Sequence, residues 1–303
     1  MTILPVSYAL SFKLLLDADG AIEDVSIHRT KLSVIRMTYE EADAQKNSPA
    51  LAPLFAIAEK NRIRRENAGA VSIDFPEISV TLAEQDGTKR VQLQPAAHTE
   101  AAAMIKEMML LAGEAAARFA FQHSIPFQYI SQEAPELPNK LPSGLAGEYR
   151  KRRAMRPRSV GTIPSMHAAL GLAMYGQVTS PLRRYGDLVS HRQLLNYIDG
   201  KPLTPAADLI LKIAAGDVAG RACVAAERAS RQHWTLVYLL QNPDWRGTAV
   251  VLEAMGKKAH IFIPSLAYEG DMTLDSEPES NQELTVKVRR IRLAYLQASF
   301  EQV

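Results

Sequence analysis

Two adjacent arginines beside an expected helix start are the residues of this chain best placed, by type and spacing, to do chemistry. Arg183 and Arg184 follow Thr179, Ser180 and Pro181 in the stretch YGQVTSPLRRYGDLVSHRQLLNY, Tyr175 to Tyr197. Ser180 can cap a helix with its hydroxyl, and Pro181 has the φ of a first helical residue and no amide hydrogen to leave unpaired. The helix is therefore expected to begin near Pro181. Its first turn would hold a guanidinium fork and free backbone N–H groups against the same anion, which describes a phosphate site. Leu188, His191, Arg192 and Leu195 recur at three- and four-residue spacing, as one packing face of that helix would. The blander reading is a capped surface helix whose arginines are solvated or paired with Asp187.

The elements that must position such a site follow from composition and pattern. At 303 residues, 47% hydrophobic and 22% charged, the chain can bury the cores of one large and one small domain. No apolar run reaches membrane-spanning length and the N-terminus lacks signal-peptide order, so a cytoplasmic protein without a membrane partner is expected. Cys223 is the only cysteine, which excludes an internal disulfide and a cysteine-based zinc site. The net charge of +2 is small, but Arg150 to Arg158 places six cations in nine residues.

Val6 to Leu16 and Ile22 to Ile27 read as strands around the turn Asp17 to Gly20, a β start that implies pairing partners preceding it. Thr38 and Glu41 form a capping box that puts Tyr39 in a helical first turn, where a half-buried packing tyrosine is the simple reading. Leu51 to Asn67 reads as a helix ending in a basic, polar face of Arg62, Arg64 and Arg65. Ala70 to Val80 reads as a short strand pair broken at Pro76, and Val80 to Leu93 as a hairpin. Thr99 to Ser124 is a long helix with Met104, Met108 and Met109 as core filler. Pro126 to Pro164 reads as proline-punctuated loop enclosing the basic run, where Arg150, Arg152 and Arg153 are either solvated or bound to RNA phosphates. Pro205 to Gln241 is a many-turned helix bearing Glu227, four residues before Arg231 and so within reach of an ion pair.

The string TSPLRRYGDLVSHRQL, preceded without a gap by His167 to Tyr175 (HAALGLAMY), closely resembles the signature of the ribonuclease II family, the RNB domain of RNase II and RNase R. These are processive 3′ to 5′ exoribonucleases that hydrolyse single-stranded RNA to nucleoside 5′-monophosphates. The resemblance implies an α+β fold for residues 1–241, a mixed sheet packed with long helices, that lacks its N-terminal segment. It also implies that Arg183 stabilises charge on the scissile phosphate, that Tyr39 contacts the nucleotide at the 3′ end, and that Glu227 in AAERASRQHW lies near the catalytic centre. His167, Tyr175, Ser180, Arg184 and Arg192 fall within the matching stretch as RNA-facing candidates. IKEMMLLAGE, Ile105 to Glu114, resembles the family's acidic helix with two departures: an acidic pair stands as Lys106-Glu107, and a usual asparagine as Gly113. The family's aromatic clamp has Ile73 at the nearest position, with Phe75 two residues on as a substitute.

From Pro243 the pattern shifts to short alternating strands, Gly247 to Leu252, Ala259 to Ile263, Glu283 to Ile291 and Tyr295 to Phe300, which fits a five-stranded OB barrel over residues 242–303. HIFIPSLAYEG, His260 to Gly270, resembles the ribosomal S-one type RNA-binding domain, with Lys257, Lys258, His260 and Phe262 as the RNA-facing set, or with Phe262 simply buried. The family hydrolyses its substrate with two Mg²⁺ ions held by clustered aspartates upstream of where this chain starts. The 33 acidic residues offer no substitute cluster, so the ligands are expected on an upstream segment or a second chain. The competing expectation is a non-catalytic single-stranded RNA-binding or regulatory protein of the same fold.

Overall fold

In the computed structural model, which describes residues 6–85 and 87–303, the elements run β1 (Ser7–Leu16), β2 (Ile22–Leu32), α1 (Tyr39–Ala44), α2 (Ala52–Asn67), β3 (Ile78–Gln85), β4 (Thr88–Pro95), α3 (Glu100–Gln122), β5 (Tyr129–Ser131), α4 (Gly144–Ala154), β6 (Ser159–Gly161), α5 (Tyr185–Ile198), α6 (Ala206–Gln241), β7 (Arg246–Met255), β8 (Lys258–Ile263), β9 (Tyr268–Thr273), β10 (Glu283–Arg292) and β11 (Gln297–Gln302). They form an α+β fold in two compact units interleaved in sequence. The first holds residues up to 72, 98–135 and 156–220, and the second holds 73–97, 136–155 and 221–303.

In the first unit the Asp17 carboxylate accepts from the backbone of Asp19 at 2.9 Å and Ala21 at 2.8 Å, closing the β1–β2 hairpin. Leu10, Phe12 and Leu14 of β1 join Ile22, Val25 and Ile27 of β2 against Leu111, Ala115 and Phe119 of α3. The alanine-rich side of α3 lets this contact be close, since Ala115, Ala116, Ala117 and Ala120 are fully buried. Two devices satisfy the first turn of α3. Thr99 caps Ala102, and the Asp43 carboxylate accepts from the backbone of Glu100 and Ala101 at 3.1 and 2.6 Å.

α2 does not carry the basic solvent face expected of it. Arg65 is buried and forks onto Glu107 of α3, with its Nη2 2.5 Å from Oε1, while Asn61 donates to the same carboxylate at 2.8 Å. Arg64 pairs with the buried Glu114, which Arg118 also reaches at 3.0 Å. Only Arg62 stays at the surface, between Glu59 and Glu66. The regular pairing of this unit consists of antiparallel two-stranded ladders, β1 with β2 and β5 with β6.

The second unit is built on a five-stranded antiparallel sheet in the order β11-β10-β7-β8-β9, rolled around Val251, Ile261, Ile263, Leu284, Val286 and Phe300. Where β9 and β11 come together, the Tyr268 hydroxyl donates to the carbonyl of Ala298 at 3.1 Å and accepts from its N–H at 3.0 Å. One side chain thereby supplies hydrogen bonds that a fifth, closing strand pairing would have made, giving a nearly closed barrel.

Four expectations need correction. Residues 126–164 are not one loop: they contain β5, β6 and α4, whose first turn is held by Asn281, accepting from Ala146 N–H at 2.9 Å and donating to the Ser143 carbonyl at 2.7 Å. Residues 70–77 form no strand pair, and only β3 and β4 make the following hairpin. β9, unforeseen because YEGDMT carries a weak alternating pattern, completes the barrel. The helix expected at Pro181 begins at Tyr185. Among the described residues no helix is long and apolar enough to cross a membrane.

Candidate functional site

The late start of α5 is explained by a buried acid. Asp187 is completely buried, and its Oδ2 accepts from the Ser180 backbone N–H at 2.8 Å and from Arg184 Nη2 at 2.7 Å. Arg184 also donates to Thr179 Oγ1 at 3.2 Å. The N–H groups of Arg183 and Arg184 turn back onto the Ser180 carbonyl at 3.2 and 3.0 Å. Residues 180–184 therefore fold as a tight turn around the Asp187 carboxylate, not as the first helical turn, and the Ser180 hydroxyl makes no cap. His191 Nε2 donates to the Val178 carbonyl at 2.5 Å and fixes the segment entering the turn. The packed residues of α5 are Asp187, Val189, Ser190, Gln193 and Leu194, so the face expected from Leu188 and Arg192 is instead exposed.

Of the two arginines only Arg183 is left unpaired. Its side chain is exposed, has no ion pair among the described residues, and lines a groove of about 1090 Å³ within the first unit. The opposite wall is the β1–β2 hairpin, with Tyr8, Leu10, Phe12, Arg29 and Thr30, while Val178, Pro181, Leu182, His191 and Leu195 complete the lining. The groove wall beside this one unpartnered, exposed guanidinium is largely apolar, which leaves the charge open to an anion. Arg29 is held by Asp199 at 2.6 Å, leaving Arg183 as the available cation there.

Tyr175 is buried where α3 comes close. A Cβ on Gly113 would stand 2.3 Å from its ring and 2.5 Å from the Gly176 carbonyl, so the glycine in place of the family's asparagine is what admits this packing. Burial pushes the Tyr175 phenol above its ordinary value, and the same cause pushes that of Tyr129 up to about 12. Burial lowers the His167 pKa, with the Arg158 charge adding to it, and the imidazole lies edge to face with Tyr175 at 5.9 Å. Both are packing residues behind the turn. Glu107 is committed to Arg65 and Asn61 and is not free to hold a ribose. Tyr39 is half exposed at the start of α1, outside the groove lining. Arg192 lines a separate cavity of about 170 Å³ with Tyr185 and Lys212. Sequence reasoning treated Asp187 only as a possible ion-pair partner. Its three-residue offset from Arg184 was the available signal, but its burial was not.

In the second unit most of the basic run is already engaged. Lys151 pairs with Glu148 at 2.7 Å, Arg152 with Glu269 and Arg153 with Glu253 at 2.6 Å each, and Arg150 is half-buried on α4. Arg152 also lies over the Phe75 ring at 4.5 Å, and Phe75 packs edge-on against Phe262 at 4.5 Å. Phe262 points to the face of β8 opposite the barrel interior and is buried there with Tyr149 and Phe75, so it cannot stack on a base and that candidate is corrected. His260 lies beside Tyr149 at 5.2 Å between Asp271 and Glu269, while Lys257 and Lys258 stay exposed. Burial works against the Glu269 charge, yet Arg152 and His260 hold its carboxyl below the usual range. Glu227 is 73% exposed and sits 4.0 Å from Arg231, the ion-pair geometry that its spacing allows.

Among the described residues no group of three His, Cys, Asp or Glu side chains is placed to hold a metal ion, so they do not fit a Mg²⁺ centre. Residues 5–141 and 146–200 match the family described as the RNB domain. That span contains both walls of the groove and the arginine turn. The chain belongs to the ribonuclease II (RNB-domain) family. The RNB-domain chain is 35% identical over 254 residues to an uncharacterized ribonuclease of Synechocystis, covering 79% of this chain and 38% of that protein. It is 26% identical over 300 residues to the chloroplastic/mitochondrial ribonuclease II of Arabidopsis thaliana, covering 92% and 37%. It thus spans less than two fifths of the length of each of these two relatives. Among solved structures, an active-site mutant of the Dss1 exoribonuclease of Candida glabrata superposes with a TM-score of 0.82 at 21% identity, over 98% of this chain and 42% of that one. Mycoplasma genitalium RNase R with ribose-methylated single-stranded RNA gives 0.79 at 14%, over 98% and 58%. Yeast Ssd1, a pseudonuclease, gives 0.64 at 17%, over 89% and 39%. These structural likenesses establish the fold.

Proposed function

We propose that the chain forms the phosphate-facing part of a 3′ to 5′ exoribonuclease that hydrolyses single-stranded RNA to nucleoside 5′-monophosphates in the cytoplasm. The observation that carries this reading is the turn around Asp187: it uses up Arg184 and leaves Arg183 unpaired on a groove wall. A guanidinium fixed in this way can hold two oxygens of a phosphodiester and meet the charge that develops as the bond breaks. Tyr39 would set the last nucleotide and Glu227 would orient groups near the phosphate. Mg²⁺ would supply the activated water and charge neutralisation. Its aspartate ligands would come from an upstream segment or a second chain, since the described residues offer no such cluster. The test is 5′-labelled single-stranded RNA with Mg²⁺ and this chain combined with the aspartate-bearing segment. Progressive shortening from the 3′ end with release of 5′-monophosphates is expected, and internal cleavage would contradict the reading.

A second reading, a non-catalytic RNA-binding protein, is favoured by the lack of a carboxylate cluster among the described residues and by the likeness to a pseudonuclease. In that case the combined protein binds the RNA and leaves its length unchanged.

A further inference from the structure

Several cations of the second unit are engaged by carboxylates, Arg152 with Glu269, Arg153 with Glu253, and His260 with Asp271. The arginines at the end of β10 are not. Arg290 and Arg292 have no ion pair among the described residues, and Arg289, 72% exposed, reaches Glu301 only at 4.0 Å.

A bulge gathers these three side chains on one surface. Pairing with β11 passes from Val288↔Phe300 directly to Arg290↔Ser299, so Arg289 is an extra residue. Before it, the buried Leu284 and Val286 alternate with exposed neighbours; after it, Arg289 and Arg290 are both exposed, Ile291 turns back, and Arg292 is exposed again. Without the bulge, simple alternation would place Arg289 opposite to Arg290. The three line a cavity of about 470 Å³ with Asp271, Gln297 and Ser299, and its one carboxylate is already bonded to His260 at 2.7 Å. An adjoining cavity of about 460 Å³ sets Lys258 and Arg289 against Asp271, Asp275 and Glu301. The positive excess therefore belongs to the first cavity alone.

We propose that this cavity beside the β9–β11 seam is a phosphate site for the backbone of single-stranded RNA, additional to any contact made by β8. The proposal rests on RNA being the ligand of the protein. Arg290 and Arg292 stand two residues apart on a strand, roughly 6.8 Å, a spacing at which successive guanidiniums can take successive phosphates of an extended chain. Gln297 and Ser299, their partners on β11, add hydrogen-bonding groups at the same repeat. Such a site reads charge and spacing, not sequence.

The test compares the full chain with its Arg290→Ala/Arg292→Ala variant, in binding of 5′-labelled oligoadenylate and oligouridylate over a salt series, with melting temperature as the folding control. Both side chains are exposed and unpaired, so melting should not move; a Lys/Lys variant, which restores charge, should recover most of the binding. Affinity for both oligomers is expected to fall about tenfold, with the salt slope flattening by roughly 0.7 for each phosphate no longer neutralised. If the wild-type chain binds RNA and the variant matches it in affinity and slope, this site is refuted while the exoribonuclease reading stands. A loss seen only toward polyglutamate would make it an acidic-peptide surface and also refute it. A wild-type chain that binds neither oligomer at low salt would refute both.

Discussion

Arg183 and Arg184 are neighbours with opposite fates, and a single carboxylate decides which is which. Asp187 takes Arg184 and the Ser180 N–H, so its removal deprives a partly buried guanidinium and an amide of their shared acceptor. Asp187→Ala should lower stability by about 3 kcal/mol in urea denaturation; a loss below about 0.5 kcal/mol would mean that the turn holds without it. His167 gives a pH signature. Burial lowers its pKa below the ordinary 6.5, so the unfolded chain takes up this proton before the folded one. Its contribution is complete above that value and is lost as pH falls below it, because the unfolded state then binds more protons. His167→Leu should flatten the fall of the denaturation midpoint just below pH 6.5, and an unchanged slope would assign that fall to other groups.

Elements whose determinants are local were legible in the sequence. The Thr38 and Glu41 capping box and the Asp17 turn each act over a few residues and are present as expected, as is the long helix from Thr99. Elements held from a distance were not legible. α4 depends on Asn281, 135 residues from Ala146, and the α5 start depends on Asp187 overriding a strong Ser-Pro cap signal. The basic residues of α2 also looked like solvent-facing charges, because Glu107 and Glu114 lie on another helix. That packing makes a prediction at the scale of the helix pair. Arg65→Leu alone should destabilise by about 3 to 5 kcal/mol, leaving Glu107 buried and unpaired, whereas Arg65→Leu with Glu107→Leu should recover much of the loss. Equal losses in the two variants would show that the ion pair does not couple the helices.

Across the molecule, the matched RNB span carries a groove lined by the unpaired Arg183 in the first unit, while the second unit carries a barrel with its own unpaired arginines among the described residues. Family membership was legible from sixteen residues, TSPLRRYGDLVSHRQL, because their order reflects the turn that frees one arginine. The cavity at β10 was not, since it depends on a bulge that appears only when β10 pairs with β11. The decisive measurement is single-turnover RNA hydrolysis beside equilibrium RNA binding for Arg183→Ala, with the chain combined with the proposed aspartate-bearing segment. If the guanidinium meets charge developing on the scissile phosphate, turnover falls about a hundredfold or more while affinity falls less than about fivefold. Equal losses in both would make Arg183 an anchor for RNA and contradict its place in the chemistry.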